Sequence, residues 1–207
     1  MNLRRELHII DFLKRYPYIL LVIILILGFN GTLAANQLEV NYLDVGLGDS
    51  ILIKSPNDKV ILFDGGNKET SVNLKDYLNR NEIKKLDYVI SSVPHRNHIG
   101  GLLSILEDFE VEKVLDSGVK DKSPIYQEYF DLIEEKNITY EVGRAGDKFQ
   151  VGEIKFEVLH PDEHTYNLKN SSLVLLMKYK NYKFLFMGDV DSKLEQKLIR
   201  IDRNISA

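Results

Sequence analysis

The sequence contains no cysteine. That excludes disulfides and thiolate ligands, so any metal site must be built from nitrogen and oxygen donors. An excess of positive charge is also missing: 27 Lys and Arg stand against 31 Asp and Glu, for a net charge of −4. This balance argues against a broadly basic nucleic-acid-binding surface and leaves room only for a local basic groove. No internal repeat, low-complexity segment or second domain boundary interrupts the chain. The one long apolar run, Tyr16 to Phe29, is shorter than the ~20 residues that span a bilayer comfortably.

That short run is nevertheless a signal. Arg4, Arg5, Lys14 and Arg15 precede it, and Thr32-Leu33-Ala34-Ala35 follows with small residues suited to cleavage. The pattern is that of a signal-peptide core or a short membrane anchor, with the basic flank kept in the cytoplasm and the remainder sent outward. The chain is therefore expected to comprise a targeting segment over 1–36 and a domain over 37–207, either anchored to the membrane on its extracytoplasmic side or secreted. Removing the segment leaves 23 basic against 29 acidic side chains, which weakens any case for tight non-specific nucleic-acid binding. With 207 residues, 44% hydrophobic and 28% charged, the composition is that of one globular domain and a short appendage.

The domain is organised around Ser91 to Gly101, SSVPHRNHIGG. Leu86 to Ile90 before it reads as a buried strand, and Leu102 to Phe109 after it carries apolar residues at helical spacing. His95 and His98 are thus expected in a strand-to-helix turn, with Gly100 and Gly101 letting the backbone bend. Imidazoles on a rigid turn suit zinc or a similar divalent ion, while two histidines three apart also fit a polar surface loop. This turn resembles the metal-binding turn of the metallo-β-lactamase fold, His-x-His-x-Asp-His with a glycine pair. Here Val93 stands at the first histidine and Asn97 at the aspartate, so only His95 and His98 match.

Other segments extend the resemblance. Leu38 to Val45 reads as a strand broken by Gly46-Leu47-Gly48-Asp49, and Ser50 to Lys54 pairs back as a hairpin. Val60 to Phe63 is a third strand ending at Asp64-Gly65-Gly66, and Ser71 to Leu78 is a helix. YLDVGLGDSILI, VILFDGG and LDYVISS follow in the order and spacing of the extracytoplasmic domain of ComEC-type DNA-internalisation competence proteins, with Leu47 in place of a glutamine. Further on, Val111 to Leu115 reads as a strand, and Ser123 caps a helix from Pro124 to about Lys136. Thr139 to Val142 and Glu153 to Leu159 are strands, and Ser172–Tyr179 pairs with Tyr182–Met187 across Lys180-Asn181. A last helix begins near Ser192.

Asp189 follows the final strand, where a carboxylate can reach a metal held by the earlier turn; it serves equally well as a cap or turn residue before the last helix. Asn170 precedes Ser-Ser-Leu-Val and either hydrogen-bonds a substrate oxyanion or satisfies its own loop. His160 beside Pro161 reads as structural.

The resemblance implies an α/β metallo-β-lactamase-type sandwich of two mixed sheets between helices, with the second half truncated. It implies a hydrolase using metal-activated water, with His95, His98 and Asp189 as ligands, Asp64 orienting a histidine, and Asp189, Asn97 and Asn170 as catalytic candidates. Asn97 cannot serve as a general base. With Val93 and Asn97 in place, any zinc or manganese is expected to be weakly held or absent. The implied activity is that of a metal-dependent nuclease or phosphodiesterase of the competence type, acting on DNA or another phosphodiester in DNA uptake, with a partner chain completing the domain. The alternative is an inactive relative serving as a binding or structural module at the cell surface.

Overall fold

A strand whose residues are apolar at every position needs a partner layer on each face, and two of the early strands, Val60–Phe63 and Tyr88–Ile90, have that character. The computed structural model, which describes residues 37–162 and 171–201 together with Arg15, Tyr16 and Tyr18, supplies both layers. β1 (Glu39–Tyr42), β2 (Ile51–Lys54) and β3 (Val60–Phe63) form an antiparallel meander. β4 (Lys85–Leu86) leads into β5 (Tyr88–Ile90), and β6 (Glu110–Val111) leads into β7 (Lys113–Asp116), followed by β8 (Thr139–Val142). β3, β5, β7 and β8 are parallel neighbours, giving a six-stranded sheet in the order β1-β2-β3-β5-β7-β8, while β4 and β6 pair separately.

The second sheet holds β9 (Lys148–Val151), β10 (Ile154–His160), β11 (Val174–Tyr179) and β12 (Tyr182–Phe186) in the order β12-β11-β10-β9. All of its pairings are antiparallel, where a mixed sheet was expected. For β9–β10 and β11–β12 the cause is connection length: the turns Val151–Ile154 and Tyr179–Tyr182 are too short for the crossover that parallel pairing requires. Four α-helices, α1 (Ser71–Arg80), α2 (Arg96–Asp108), α3 (Pro124–Glu135) and α4 (Ser192–Ile201), and a short 3-10 helix over Lys68–Thr70 complete the described domain.

Period-two alternation assigns the side chains to layers. Leu52, Leu62, Val89 and Val114 face α1, α2 and α3, where Leu74, Leu78, Ile99, Leu102, Leu106 and Tyr129 cover them. Ile51, Ile53, Ile61, Phe63, Ile90 and Leu115 point the other way, against Ile154, Phe156, Val158, Leu175 and Met177 of the second sheet. Leu194 and Leu198 of α4 pack on Val174 from the far side. The result is a helix–sheet–sheet–helix sandwich, the α/β architecture expected from the resemblance.

Two details differ from the sequence reading. The run Leu86–Ile90 is broken at Asp87, whose Oδ2 accepts from Val60 N–H at 2.9 Å and whose Oδ1 accepts from Lys59 Nζ at 2.6 Å. Helix α2 begins at Arg96, so His98 lies in its first turn and only His95, the N-cap, remains outside. The glycine pair therefore does not bend the chain. It lets the helix approach: a Cβ at Gly101 would sit 1.9 Å from the Gly65 carbonyl oxygen. The expected targeting segment over 1–36, apart from the three residues named, lies outside the described residues, as does Asn170. Among the described residues no helix is long and apolar enough to cross a membrane.

Candidate metal centre

Several chain segments meet at the C-terminal ends of the parallel strands, where open α/β sheets place their ligands. Asp64 follows β3, Ser91 and Ser92 follow β5, His98 sits in the first turn of α2, Asp49 closes the β1–β2 turn, and Asp189 follows β12. Backbone bonds hold these segments together: Asp64 N–H to Ile90 O at 2.8 Å, Gly65 N–H to His98 O at 2.8 Å, and Gly66 N–H to Asp49 O at 2.8 Å. The second sheet is joined to the same spot by Leu173 N–H to Ser92 O at 2.6 Å and Asp189 N–H to Ser172 Oγ at 3.1 Å.

At the centre Asp64 is wholly buried and its backbone is left-handed, with φ 56°, a conformation aspartate tolerates better than most residues. Its carboxylate is saturated by protein donors. Oδ1 accepts from Ser92 N–H at 2.7 Å, and Oδ2 accepts from Ser92 Oγ at 2.6 Å and lies 2.9 Å from His98 Nδ1. A proton on Nδ1 satisfies that contact and turns Nε2 outward, where Asp189 Oδ2 stands 3.2 Å away. Burial drives the His98 pKa down; the hydrogen bond and charge of Asp64, with Asp189 and Asp49 beyond, overcome it and raise the value from 6.5 to about 9. Desolvation of the carboxylate tip and repulsion by Asp64 and Asp189 push Asp49 upward, against the pull of His98.

Among the described residues, Asp49, Asp64 and His98 bring ligand atoms within 4.8 Å of one another. Since Asp64 is committed to Ser92 and His98, what remains for an ion is His98 Nε2, which faces Asp189 Oδ2, and the carboxylate of the exposed Asp49. A tetrahedral zinc with nitrogen and oxygen ligands at their usual lengths sets those atoms about 3.4 Å apart, close to the 3.2 Å between His98 Nε2 and Asp189 Oδ2. The donor set is hard and anionic, which suits a divalent cation, and Asp64 occupies the place of the carboxylate that orients a metal-binding histidine. The residues present fit one ion.

His95 is exposed and makes no side-chain hydrogen bond to the helix it caps. Asn97 is half-buried and Val93 is buried. Asn97 bears on the site through its backbone, since a Cβ at Gly48 would fall 1.8 Å from its carbonyl oxygen. His160 is buried and follows the irregular register of β10. Asp49 and Ser92 were not singled out from the sequence. Asp49 sits inside a turn whose glycines accounted for its polarity, and Ser92 is one of two adjacent serines whose difference only the fold reveals. The signal for Asp49 was a charged residue next to a glycine in a motif already noticed for its shape.

Residues 43–204 match the model of the metallo-beta-lactamase superfamily. The chain belongs to that superfamily. Over 187 residues it is 26% identical to ComE operon protein 3 of Bacillus subtilis (strain 168), an alignment covering 82% of this chain and 24% of that protein. The chain thus spans about a quarter of the length of this relative. Among solved structures, a metallo-beta-lactamase-type protein of Thermotoga maritima superposes with a TM-score of 0.57 at 14% identity, over 81% of this chain and 92% of that one. A Cronobacter sakazakii metallo-beta-lactamase with a HARLDQ motif gives 0.52 at 12% identity, over 72% and 58%. A subclass B3 enzyme of Bradyrhizobium japonicum gives 0.52 at 13%, over 73% and 60%. These superpositions show a shared superfamily fold, and the superfamily's usual use of divalent metals agrees with the Asp/Asp/His group found here.

Proposed function

We propose that this domain is a metal-dependent phosphodiesterase of the competence-protein type, tethered to or exported across the membrane by residues 1–36. The observation that carries the reading is the line Asp64–His98–Asp189, with contacts of 2.9 and 3.2 Å, because it aims a preoriented imidazole nitrogen and a carboxylate at one point. A single zinc or manganese ion would be held by His98 Nε2, Asp189 and Asp49. When bound, it would make a water acidic and draw off charge developing on a phosphoryl oxygen.

The protein's own groups do the rest. Ser92 and Asp64 keep His98 in one rotamer and one tautomer, which lowers the entropy cost of holding an ion. The half-buried Asn97 lies one residue before His98 and can donate a hydrogen bond from its amide, but it takes no proton, so proton removal falls to Asp189 or Asp49. The phosphodiester substrate, DNA in the first instance, is carried by the resemblance of YLDVGLGDSILI, VILFDGG and LDYVISS to ComEC-type DNA-internalisation competence proteins and not by any contact in the domain.

A second reading, a non-catalytic surface module that retained the fold, is favoured by the buried Val93 and the neutral Asn97 at two positions where the resembled turn has metal ligands. Elemental analysis of the purified full chain, paired with hydrolysis of a generic phosphodiester, separates the two. One divalent equivalent and metal-dependent turnover, both lost in His98→Ala and the turnover lost in Asp189→Asn, support the enzyme. One equivalent without turnover supports the module. Two tightly bound equivalents would show that other ligands compensate for Val93 and Asn97.

A further inference from the structure

The outer face of the second sheet carries a charge pattern that folding does not require. Lys155 of β10 lies directly across from Lys178 of β11, and Lys178 directly across from Lys183 of β12. Adjacent strands are about 4.8 Å apart, and like charges placed opposite one another on a sheet are destabilising. Lys148 of β9 extends the group, opposite Glu157. Glu157 Oε2 accepts from Lys178 Nζ at 2.8 Å, and its Oε1 lies 3.5 Å from Lys148 Nζ. The lysine ion pairs hold Glu157 below the usual carboxylate range, so it remains charged and leaves the lysines in excess.

The pattern is local in a chain of net charge −4. Alternation explains how it is displayed: Ile154, Phe156 and Val158 enter the core between the sheets, while Lys155 and Glu157 face outward. At the other end of the same face, α4 covers Val174 with Leu194 and Leu198. The lysine end is left as an open depression of about 480 Å³ bounded by Lys148, Gln150, Lys155, Glu157 and Lys178, with Phe149 and Phe156 beneath them.

We propose that this lysine face docks on an anionic lipid surface. Three observations select that occupant over a nucleic acid. Among the described residues the face is an open sheet surface bearing lysines and no arginine; point charges serve diffuse attraction to a leaflet, whereas fork-like recognition of individual phosphates favours arginine. Among the described residues no aromatic ring is turned outward on it for bases to stack on: Phe149 and Phe156, which also border the depression, stack on each other in the layer between the sheets, and Tyr182 alternates with Lys183 and faces the other way. It also lies at the hairpin end of β11 and β12, and Asp189 follows the opposite end of β12, so a polymer bound there would not lead into the metal centre. A domain resting on its lysines keeps that centre turned away from the bilayer. The inference rests on the membrane location proposed above, because a tethered chain meets the lipid at high effective concentration.

The test uses the full chain with vesicles of phosphatidylcholine alone, or with a third of that lipid replaced by phosphatidylglycerol. Co-flotation with the neutral vesicles reports the tether by itself. Amine acetylation, read residue by residue by mass spectrometry, reports the face. The expected result is acetylation of Lys148, Lys155, Lys178 and Lys183 slowed on the order of tenfold by phosphatidylglycerol, with Lys75 and Lys136 in the helical layer unchanged. Molar salt should abolish the protection, and Lys155→Gln with Lys183→Gln should abolish it at Lys148. Equal labelling on both vesicle types overturns the proposal. So does protection by a duplex oligonucleotide with neutral vesicles and none from phosphatidylglycerol, which assigns the face to nucleic acid.

Discussion

Ser92 is the residue on which the centre depends without being a ligand. It is fully buried, and its N–H and hydroxyl both donate to Asp64, at 2.7 and 2.6 Å. Hydrogen bonds to a buried charge contribute about 1.5–3 kcal/mol each, so Ser92→Ala should lower unfolding free energy in urea by roughly that amount. It should also weaken divalent-metal binding by loosening His98. Unchanged metal affinity in a destabilised Ser92→Ala would separate the serine from the site. A second buried acid, Asp116, ends β7 and accepts from Tyr140 Oη and Gly118 N–H, both at 2.6 Å. Burial outweighs those bonds and lifts its carboxyl from 3.8 to about 6. The folded state therefore holds this proton more tightly than the unfolded one. The stability it contributes is complete below pH 3.8 and is lost as pH rises through about 6, a change on the order of 3 kcal/mol. Asp116→Asn should flatten that part of a stability-against-pH curve, and an unaltered curve would show that another group governs the window. Residues like these are hard to read from a sequence. Ser92 and Asp116 owe their roles to burial, whereas His98 and Asp64 were legible through the resemblance of their turns to those of the metallo-β-lactamase fold, since an imidazole in a loop or a carboxylate at a strand end alone has other uses.

At the scale of elements, α2 and the strand end it touches are fitted backbone to backbone. A Cβ at Gly101 would meet the Gly65 carbonyl oxygen at 1.9 Å, and one at Gly65 would meet Leu102 N at 2.6 Å. Neither contact involves a flexible side-chain tip, so the helix must shift bodily. Gly101→Ala should cost roughly 3 kcal/mol or more by the logic of overpacking, even though alanine is the better helix former. A midpoint in denaturant equal to that of the parent would refute this packing. The helices were legible to within a turn where a cap marks them, as with Ser123, whose Oγ accepts from Tyr126 N–H at the start of α3. The start of α2 was not, because its N-cap His95 makes no such bond and its first turn is polar. Strand β9 also escaped notice: Lys148, Phe149 and Gln150 follow Gly146-Asp147, and its single buried position, Val151, is too little to establish a period.

For the molecule as a whole, the layer between the sheets joins the parallel half to the antiparallel half. Phe63 at the end of β3 packs on Phe186 at the end of β12, with ring centroids 5.1 Å apart, and both are buried. These strands run directly into Asp64 and Asp189, so the aromatic pair sets the distance between the two sides of the metal centre. Phe63→Leu and Phe186→Leu should couple in a double-mutant cycle by about 0.5–1.5 kcal/mol, with metal affinity falling alongside stability. Additive losses would mean that the sheets are held in register elsewhere. The two-sheet architecture was implied by the resemblance, but the pairing of Phe63 with Phe186 could not be read from the sequence, since nothing local links them.

The acid facing His98 comes from the far side of that layer. Asp49, Asp64 and His98 belong to the first sheet and its helices, and Asp189 is delivered only after β12 has been laid down. A chain emerging from its N-terminus, whether from a ribosome or through a translocation pore, can close the β1–β8 sheet while this corner is still open. Any ion held at this corner is therefore captured only once β12 is in place, after the first sheet has closed, and the cation it meets is the one present at that late step.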